Sequence, residues 1–159
     1  VIVVADTSPL NYLIGIGCDH VLPALYGRLL LPSAVMRELN HLRAPSSVKA
    51  WLNSVPDGIE VCDPPATPDP TLGFLHDGER EAIQIAEQRR ADLILIDERK
   101  GSVEAERRGL LSTGTLGVLL SAGNAGLIDP LKAYRRLASE TTFRTSASLE
   151  RAFLVLLAK

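Results

Sequence analysis

Four acidic residues stand where carboxylates can do chemistry together: Asp6, Glu38, Glu79 and Asp97. Asp6 and Asp97 each end a short apolar run, Val1-Ile2-Val3-Val4-Ala5 and Leu93-Ile94-Leu95-Ile96. Aspartate is disfavoured inside strands, so each marks a strand exit; alone, either reads equally well as a turn residue or helix cap. Glu79 stands three, four and seven residues before Ala82, Ile83 and Ala86, so it heads the apolar stripe of a helix. Glu81 lies about 200° round that helix, beside Ile85 and Gln88, and Asp77 reads as its cap. Glu38 falls among Val35, Leu39 and Leu42, an acid inside an apolar stripe. Buried there, it needs a donor, a base or a metal, and His41 is the structural candidate. Two carboxylates about 4 Å apart repel by about 1 kcal/mol in water and about 4 kcal/mol at an effective dielectric near 20. Four together are tolerated only if a cation joins them or some are protonated. Oxygen-only donors favour Mg2+ or Mn2+, and such a site bridging a phosphate suits hydrolysis by a metal-activated water. His20, His41 and His76 are scattered and no Cys or His pair has ligand spacing, which argues against zinc.

The elements that must carry these acids alternate. Short apolar runs at residues 1–5, 29–31, 59–62, 93–96 and 110–112 read as strands, with helical stretches between them. That alternation implies an α/β fold with a parallel sheet buried on both faces and right-handed crossovers. Thr7 or Ser8 can cap a helix starting at Pro9, and Pro32-Ser33 opens another through His41. Ser46 or Ser47 can cap a third, which holds Trp51. Helices are also expected over about 77–90, 100–108 with Gly109 as its stop, and from about Gly114, Pro130 and Ser148. Residues 63–73, DPPATPDPTLG, read as a long exposed connection. In a parallel sheet, function gathers at the carboxyl ends of the strands. The helix that follows Asp77 runs antiparallel to the strand after it, so Glu79 starts at that same edge.

The 159 residues fit one domain, 1–159, with a terminal helix at about 148–158 that packs on the core or on a partner. With 17 basic and 19 acidic residues the net charge is −2, which excludes nucleic-acid binding by bulk positive charge. It does not exclude a nuclease, because four carboxylates account for about −4 and leave the remainder slightly basic. Seven aromatics are few for a base-stacking surface. Cys18 and Cys62 form no CxxC pair and read as two reduced thiols. No apolar stretch reaches the roughly 18 residues of a membrane span and no leader pattern opens the chain. These features predict a cytoplasmic protein.

Several stretches together resemble the PIN-domain family: Val3-Val4-Ala5-Asp6-Thr7-Ser8-Pro9-Leu10, Pro32-Ser33-Ala34-Val35-Met36-Arg37-Glu38-Leu39, Gly78-Glu79-Arg80-Glu81-Ala82-Ile83, Leu93-Ile94-Leu95-Ile96-Asp97-Glu98-Arg99-Lys100-Gly101 and Gly114-Thr115-Leu116-Gly117. The likeness covers about residues 1–130 and is greatest to a prokaryotic branch related to the VapC-type toxins. It implies a three-layer α/β/α fold whose five-stranded parallel sheet has the order 3-2-1-4-5, which brings Asp6 and Asp97 together. It implies Mg2+- or Mn2+-dependent cleavage of RNA. The family's first, second and last acids fall on Asp6, Glu38 and Asp97. Its third, usually Asp, stands 18 residues before the last, at Glu79. Asp77, Glu79 and Glu81 crowd this turn, and any of them could supply the ligand. Ser8 falls on the family's hydroxyl position and would orient Asp6 or a water; Glu81 and Glu98 are supporting acids. The resemblance also implies a homodimer and, for a toxin, an antitoxin protein as partner.

Other doubly wound phosphate-handling enzymes fit less well. A haloacid-dehalogenase-type phosphatase needs a second Asp where Ser8 stands, and a receiver domain needs a loop after Cys62-Asp63 without the run of prolines. The serious alternative is a PIN-like module that binds RNA or protein without cutting. Arg37, Arg43, Arg99 and Lys100 flank the acids and could position a phosphate backbone. Arg89-Arg90, Arg107-Arg108 and Arg135-Arg136 read as solvated helix ends, where cations are favoured.

Overall fold

The computed structural model describes residues 1–41 and 43–159. Five parallel strands form one sheet: β1 (Val3–Ala5), β2 (Leu29–Pro32), β3 (Ile59–Cys62), β4 (Leu93–Leu95) and β5 (Ser112–Thr113), in the order β3-β2-β1-β4-β5. Nine helices are described: α1 (Thr7–Gly15), α2 (Val21–Tyr26), α3 (Ser33–Leu39), α4 (Ser46–Asn53), α5 (Asp77–Arg89), α6 (Arg99–Arg107), α7 (Thr115–Asn124), α8 (Pro130–Glu140) and α9 (Ala147–Leu157). The expected order 3-2-1-4-5 is what the sheet adopts. Register sets Val4 beside Ile94 and Ala5 beside Leu95, so the two strand-exit aspartates leave adjacent strands at one edge.

Side chains alternate across the sheet, as the pleat requires. Val3, Ala5, Leu29, Leu31 and Leu95 face a core layer with Leu10, Leu13, Val35, Leu119, Leu137 and Phe153. Val4, Leu30, Ile94 and Ile96 face the opposite layer with Ala82, Ile83, Ile85 and Ala86 of α5 and Ala105 of α6. Both faces are therefore covered, which is why the strands read as continuous apolar runs. Cys18 and Cys62 are free and buried. Among the described residues no helix is long and apolar enough to cross a membrane. The last helix, α9, packs on α7, sets its buried Phe153 against Tyr134 of α8 and leaves Leu149, Leu154, Val155 and Leu156 exposed.

Several boundaries differ from expectation. The first helix starts at Thr7 with Asp6 as its N-cap residue, and α5 starts at Asp77 with His76 before it. Helix α3 ends at Leu39, short of His41. The short α2 carries an internal proline that hid its helical pattern from sequence reading. The fifth strand, expected over 110–112, is Ser112–Thr113. Leu110 still belongs to the end of α6: Gly109 adopts φ 80° and the Leu110 N–H donates to the Ala105 carbonyl at 3.0 Å. Leu111 is left 72% exposed.

The connection over residues 63–73 is less free than its prolines suggest. It contains a 3-10 turn, Pro70–Leu72, whose Leu72 is buried. Asp69 accepts from the Thr71 N–H at 2.9 Å, and Arg108 holds Asp69 at 2.9 Å and Thr71 Oγ1 at 2.7 Å. Arg108 also pairs with Glu87 at 2.8 Å, and its side chain is only 13% exposed. The reading of Arg108 as a solvated helix end is thus corrected: it ties the loop to α5 and α6.

Candidate active site

Three of the four acids line one cleft at the carboxyl edge of the sheet. The cleft encloses about 670 Å³ and is lined by Asp6, Thr7, Ser8, Glu38, Gly73, Leu75, His76, Asp77, Glu79, Arg80 and Glu98. Asp6 arrives from the end of β1, Glu38 from the last turn of α3 and Glu79 from the first turn of α5. Asp6 is 4% exposed and Glu79 6% exposed.

Glycine lets these acids approach. A Cβ on Gly78 would stand 2.8 Å from Asp6 Oδ1 and 3.1 Å from Glu38 Oε1. One on Gly101 would stand 3.2 Å from Glu79 Oε2, and one on Gly114 2.5 Å from Asp97 Oδ1. A side chain at Gly78 or Gly114 would press directly on a carboxylate, and one at Gly101 would press on Ile96 first.

Hydrogen bonds then orient the acids. Thr7 Oγ1 donates to Glu38 Oε2, and the Gly78 N–H donates to Glu38 Oε1 at 3.2 Å. Glu38 is therefore not the buried acid expected from its apolar neighbours. It is exposed to the cleft, and Leu42, the far end of that stripe, lies outside the described residues. Nor is His41 the partner of its carboxylate: His41 Nδ1 accepts from the Arg43 N–H at 3.2 Å. Asp97 sits just outside the cleft lining, half-buried, and accepts from the Thr115 N–H and Thr115 Oγ1, both at 2.7 Å. It anchors the start of α7 while its charge still acts on Asp6.

Burial dominates the electrostatics of the acids, and their mutual charges add to it. Burial pushes the Asp6 carboxyl up to about 7; the Thr7 N–H opposes it, and the charges of Glu79, Glu38 and Asp97 each add a smaller push upward. Burial also raises Glu79, helped by Glu98 and Glu38, while His76 and Lys100 pull it down. Asp97 is raised by burial and by Glu98, against its bonds to Thr115.

A family model described as a PIN domain matches residues 2–159. The chain belongs to the PIN-domain family. A comparison with curated proteins finds no match. PIN domains are typically metal-dependent nucleases that use Mg2+ or Mn2+. The donors in this PIN-domain cleft fit such a hard cation in type, since Asp6, Glu38 and Glu79 offer only oxygen. The Asp6 and Glu79 carboxyls are raised first by burial and further by neighbouring acids, so a cation between them would be favoured. Among the described residues, no three His, Cys, Asp or Glu side chains are already arranged around one point to hold an ion.

The supporting residues divide. Ser8 and Glu98 line the PIN-domain cleft. Glu81 turns away: its Oε1 accepts from the Ala34 N–H at 2.9 Å at the start of α3, and its Oε2 pairs with Arg37 at 3.5 Å. Asp77 lines the cleft and pairs with Arg80. Arg37, Arg43, Arg99 and Lys100 are exposed and none lines the cleft. The basic residues that do are Arg80, paired with Asp77, and His76, which sequence reading passed over as phosphate partners although both lie within three residues of Glu79. Thr7 and Thr115 were also missed as orienting groups. Their signal was position, since each begins the helix that follows a strand-exit acid or glycine.

Proposed function

We propose that the protein is a Mg2+- or Mn2+-dependent endoribonuclease, with Asp6, Glu38, Glu79 and Asp97 as its acidic set. The observation that carries this reading is the buried Asp6 carboxyl, raised to about 7 within reach of three other acids. A carboxyl raised mainly by burial, with neighbouring acids adding to the shift, is favoured in its charged form where a cation joins the cluster. When bound, a divalent cation would supply Lewis-acid stabilisation of the phosphate and activation of water.

The chain's own groups hold the site open and aligned. Thr7 and the Gly78 N–H fix Glu38, Thr115 fixes Asp97, and the bare backbone at Gly78 leaves room for Asp6. Arg80 offers positive charge, and His76 a ring N–H, to a phosphate entering the cleft. The outward residues of α9 are the surface that the expected homodimer would cover.

Cleavage of a mixed pool of single-stranded and structured RNA tests the proposal. Wild type is run with Mg2+, Mn2+ or EDTA beside Asp6→Asn purified identically. Metal-dependent cutting that the variant lacks is the expected result; cutting no greater than the variant's would favour a module that binds without cleaving. Glu79→Gln should reduce activity more than Glu81→Gln, because Glu79 lines the cleft whereas Glu81 braces α3. The reverse ranking would move the third ligand to Glu81. In the toxin role, expression of the wild type arrests growth and Asp6→Asn does not.

A further inference from the structure

Phe74 is 56% exposed. The other six aromatics, all among the described residues, are buried (Trp51, Phe143, Phe153) or half-buried (Tyr12, Tyr26, Tyr134). More than half of the Phe74 surface thus stays in water although the ring is apolar. Its placement is specific. Gly73 and Leu75 on either side of it both line the acidic cleft, as does His76. Phe74 itself is not among the lining residues, so its exposed ring stands beside the lining, at the cleft's edge.

That rim is anchored. Leu72 and Leu75 are buried against α5 and α6. The Leu75 N–H donates to the Leu72 carbonyl at 3.1 Å and the Gly73 N–H to the Pro70 carbonyl at 3.3 Å. Arg108 holds Asp69 and Thr71 just upstream. The aromatic is displayed from a braced turn rather than a loose loop.

Its chain neighbours Gly73, His76 and Asp77 are exposed and not apolar, so no local hydrophobic run accompanies it. A contiguous apolar patch, the mark of many protein-binding surfaces, is not formed by these chain neighbours. A lone ring within a polar rim suits a flat π partner, and a nucleobase is such a partner. Bases inside a duplex are already stacked and cannot reach it.

We propose that Phe74 is a base-stacking residue that takes an unpaired base of single-stranded RNA at the rim of the acidic cleft. The proposal rests on the ribonuclease reading for what happens to that RNA, but its test reads binding. A short labelled single-stranded RNA of mixed sequence is titrated with Asp6→Asn, Asp6→Asn/Phe74→Ala and Asp6→Asn/Phe74→Trp in Mg2+, followed by fluorescence anisotropy.

Loss of the ring should weaken binding roughly 5- to 100-fold. The Trp variant should restore it, because stacking needs a ring rather than this particular side chain. The dependence on salt should keep its slope, since no phosphate contact is lost. A fully paired duplex should bind both proteins alike. In the wild-type background, Phe74→Ala should raise KM for single-stranded RNA more than it lowers kcat.

Equal binding by the Ala variant, an equal loss on duplex, or a fall in sedimented mass showing that Phe74 meets a second copy would each overturn the proposal. Failure of the ribonuclease reading looks different. Wild type would then cut no RNA with any metal, while the anisotropy contrast at Phe74 would still be read.

Discussion

Asp6 concentrates the chemistry of this molecule in one carboxyl. Its pKa in the folded chain is about 7, against 3.8 for an unperturbed Asp. The folded protein therefore takes up a proton as pH falls through about 7, and the unfolded chain does so only near 4. Metal-free stability should then fall as pH rises from about 4 to about 7 and level off above, by roughly 4 kcal/mol at most. Glu79 and Asp97 are raised too and act in the same direction. Asp69 has the opposite sign: Thr71 and Arg108 hold it down to about 2, so its contribution is lost only in stronger acid. Urea melts in EDTA at mildly acid and mildly alkaline pH check this. Wild type should be the more stable in acid, and Asp6→Asn should flatten the difference and gain stability in alkali. Asp97 should behave otherwise, because Thr115 bonds both of its oxygens. Asp97→Asn keeps an acceptor for the Thr115 N–H and should melt close to wild type while abolishing cleavage. Asp97→Ala strips the start of α7 and should lose about 0.5–2 kcal/mol as well.

At the scale of elements, strand exits and helix turns deliver the acids, and glycines make room for them. Gly78→Ala would drive a methyl onto Asp6 and Glu38. Its expected signature is a loss of activity of about 10-fold or more, since both carboxylates must shift from their aligned positions. Circular dichroism should remain that of the wild type, because alanine suits a first helical turn. Unfolding of the variant would show that the Asp6–Gly78 contact is structural first. Arg108→Met tests a different element. It should release residues 69–72 from α5 and α6 and lower Tm by several degrees, about 2–4 °C for each kcal/mol lost. An unchanged Tm would mean that the buried Leu72 alone secures the loop. Why the acids could be located in sequence and Arg108 could not is a matter of range. Asp6 and Asp97 announce themselves by ending apolar runs, and Glu79 by its phase on a helix, so local periodicity suffices. Arg108 meets Asp69 from 39 residues away, and no local pattern encodes that pairing. Glu38 shows the limit within one element. Its apolar neighbours suggested burial, yet it lies in the last turn of a short helix and opens into the cleft.

Across the whole molecule, the order β3-β2-β1-β4-β5 sets β1 beside β4, so the two strand-exit acids lie at one edge. Crossover helices α3 and α5 begin or end at that edge and add Glu38 and Glu79. The net charge of −2 hides this polarity, because the acids are gathered while the cations are dispersed over helix ends. A molecule arranged in this way should bind a divalent cation at the cleft before it binds nucleic acid, since the bare acids repel phosphate. The most direct measurement is a calorimetric Mn2+ titration of metal-free wild type and Asp6→Asn. Saturable binding by the wild type that weakens at least about tenfold in the variant is the predicted result. Equal binding by both, or none by the wild type, would contradict a cation site built on these four carboxylates.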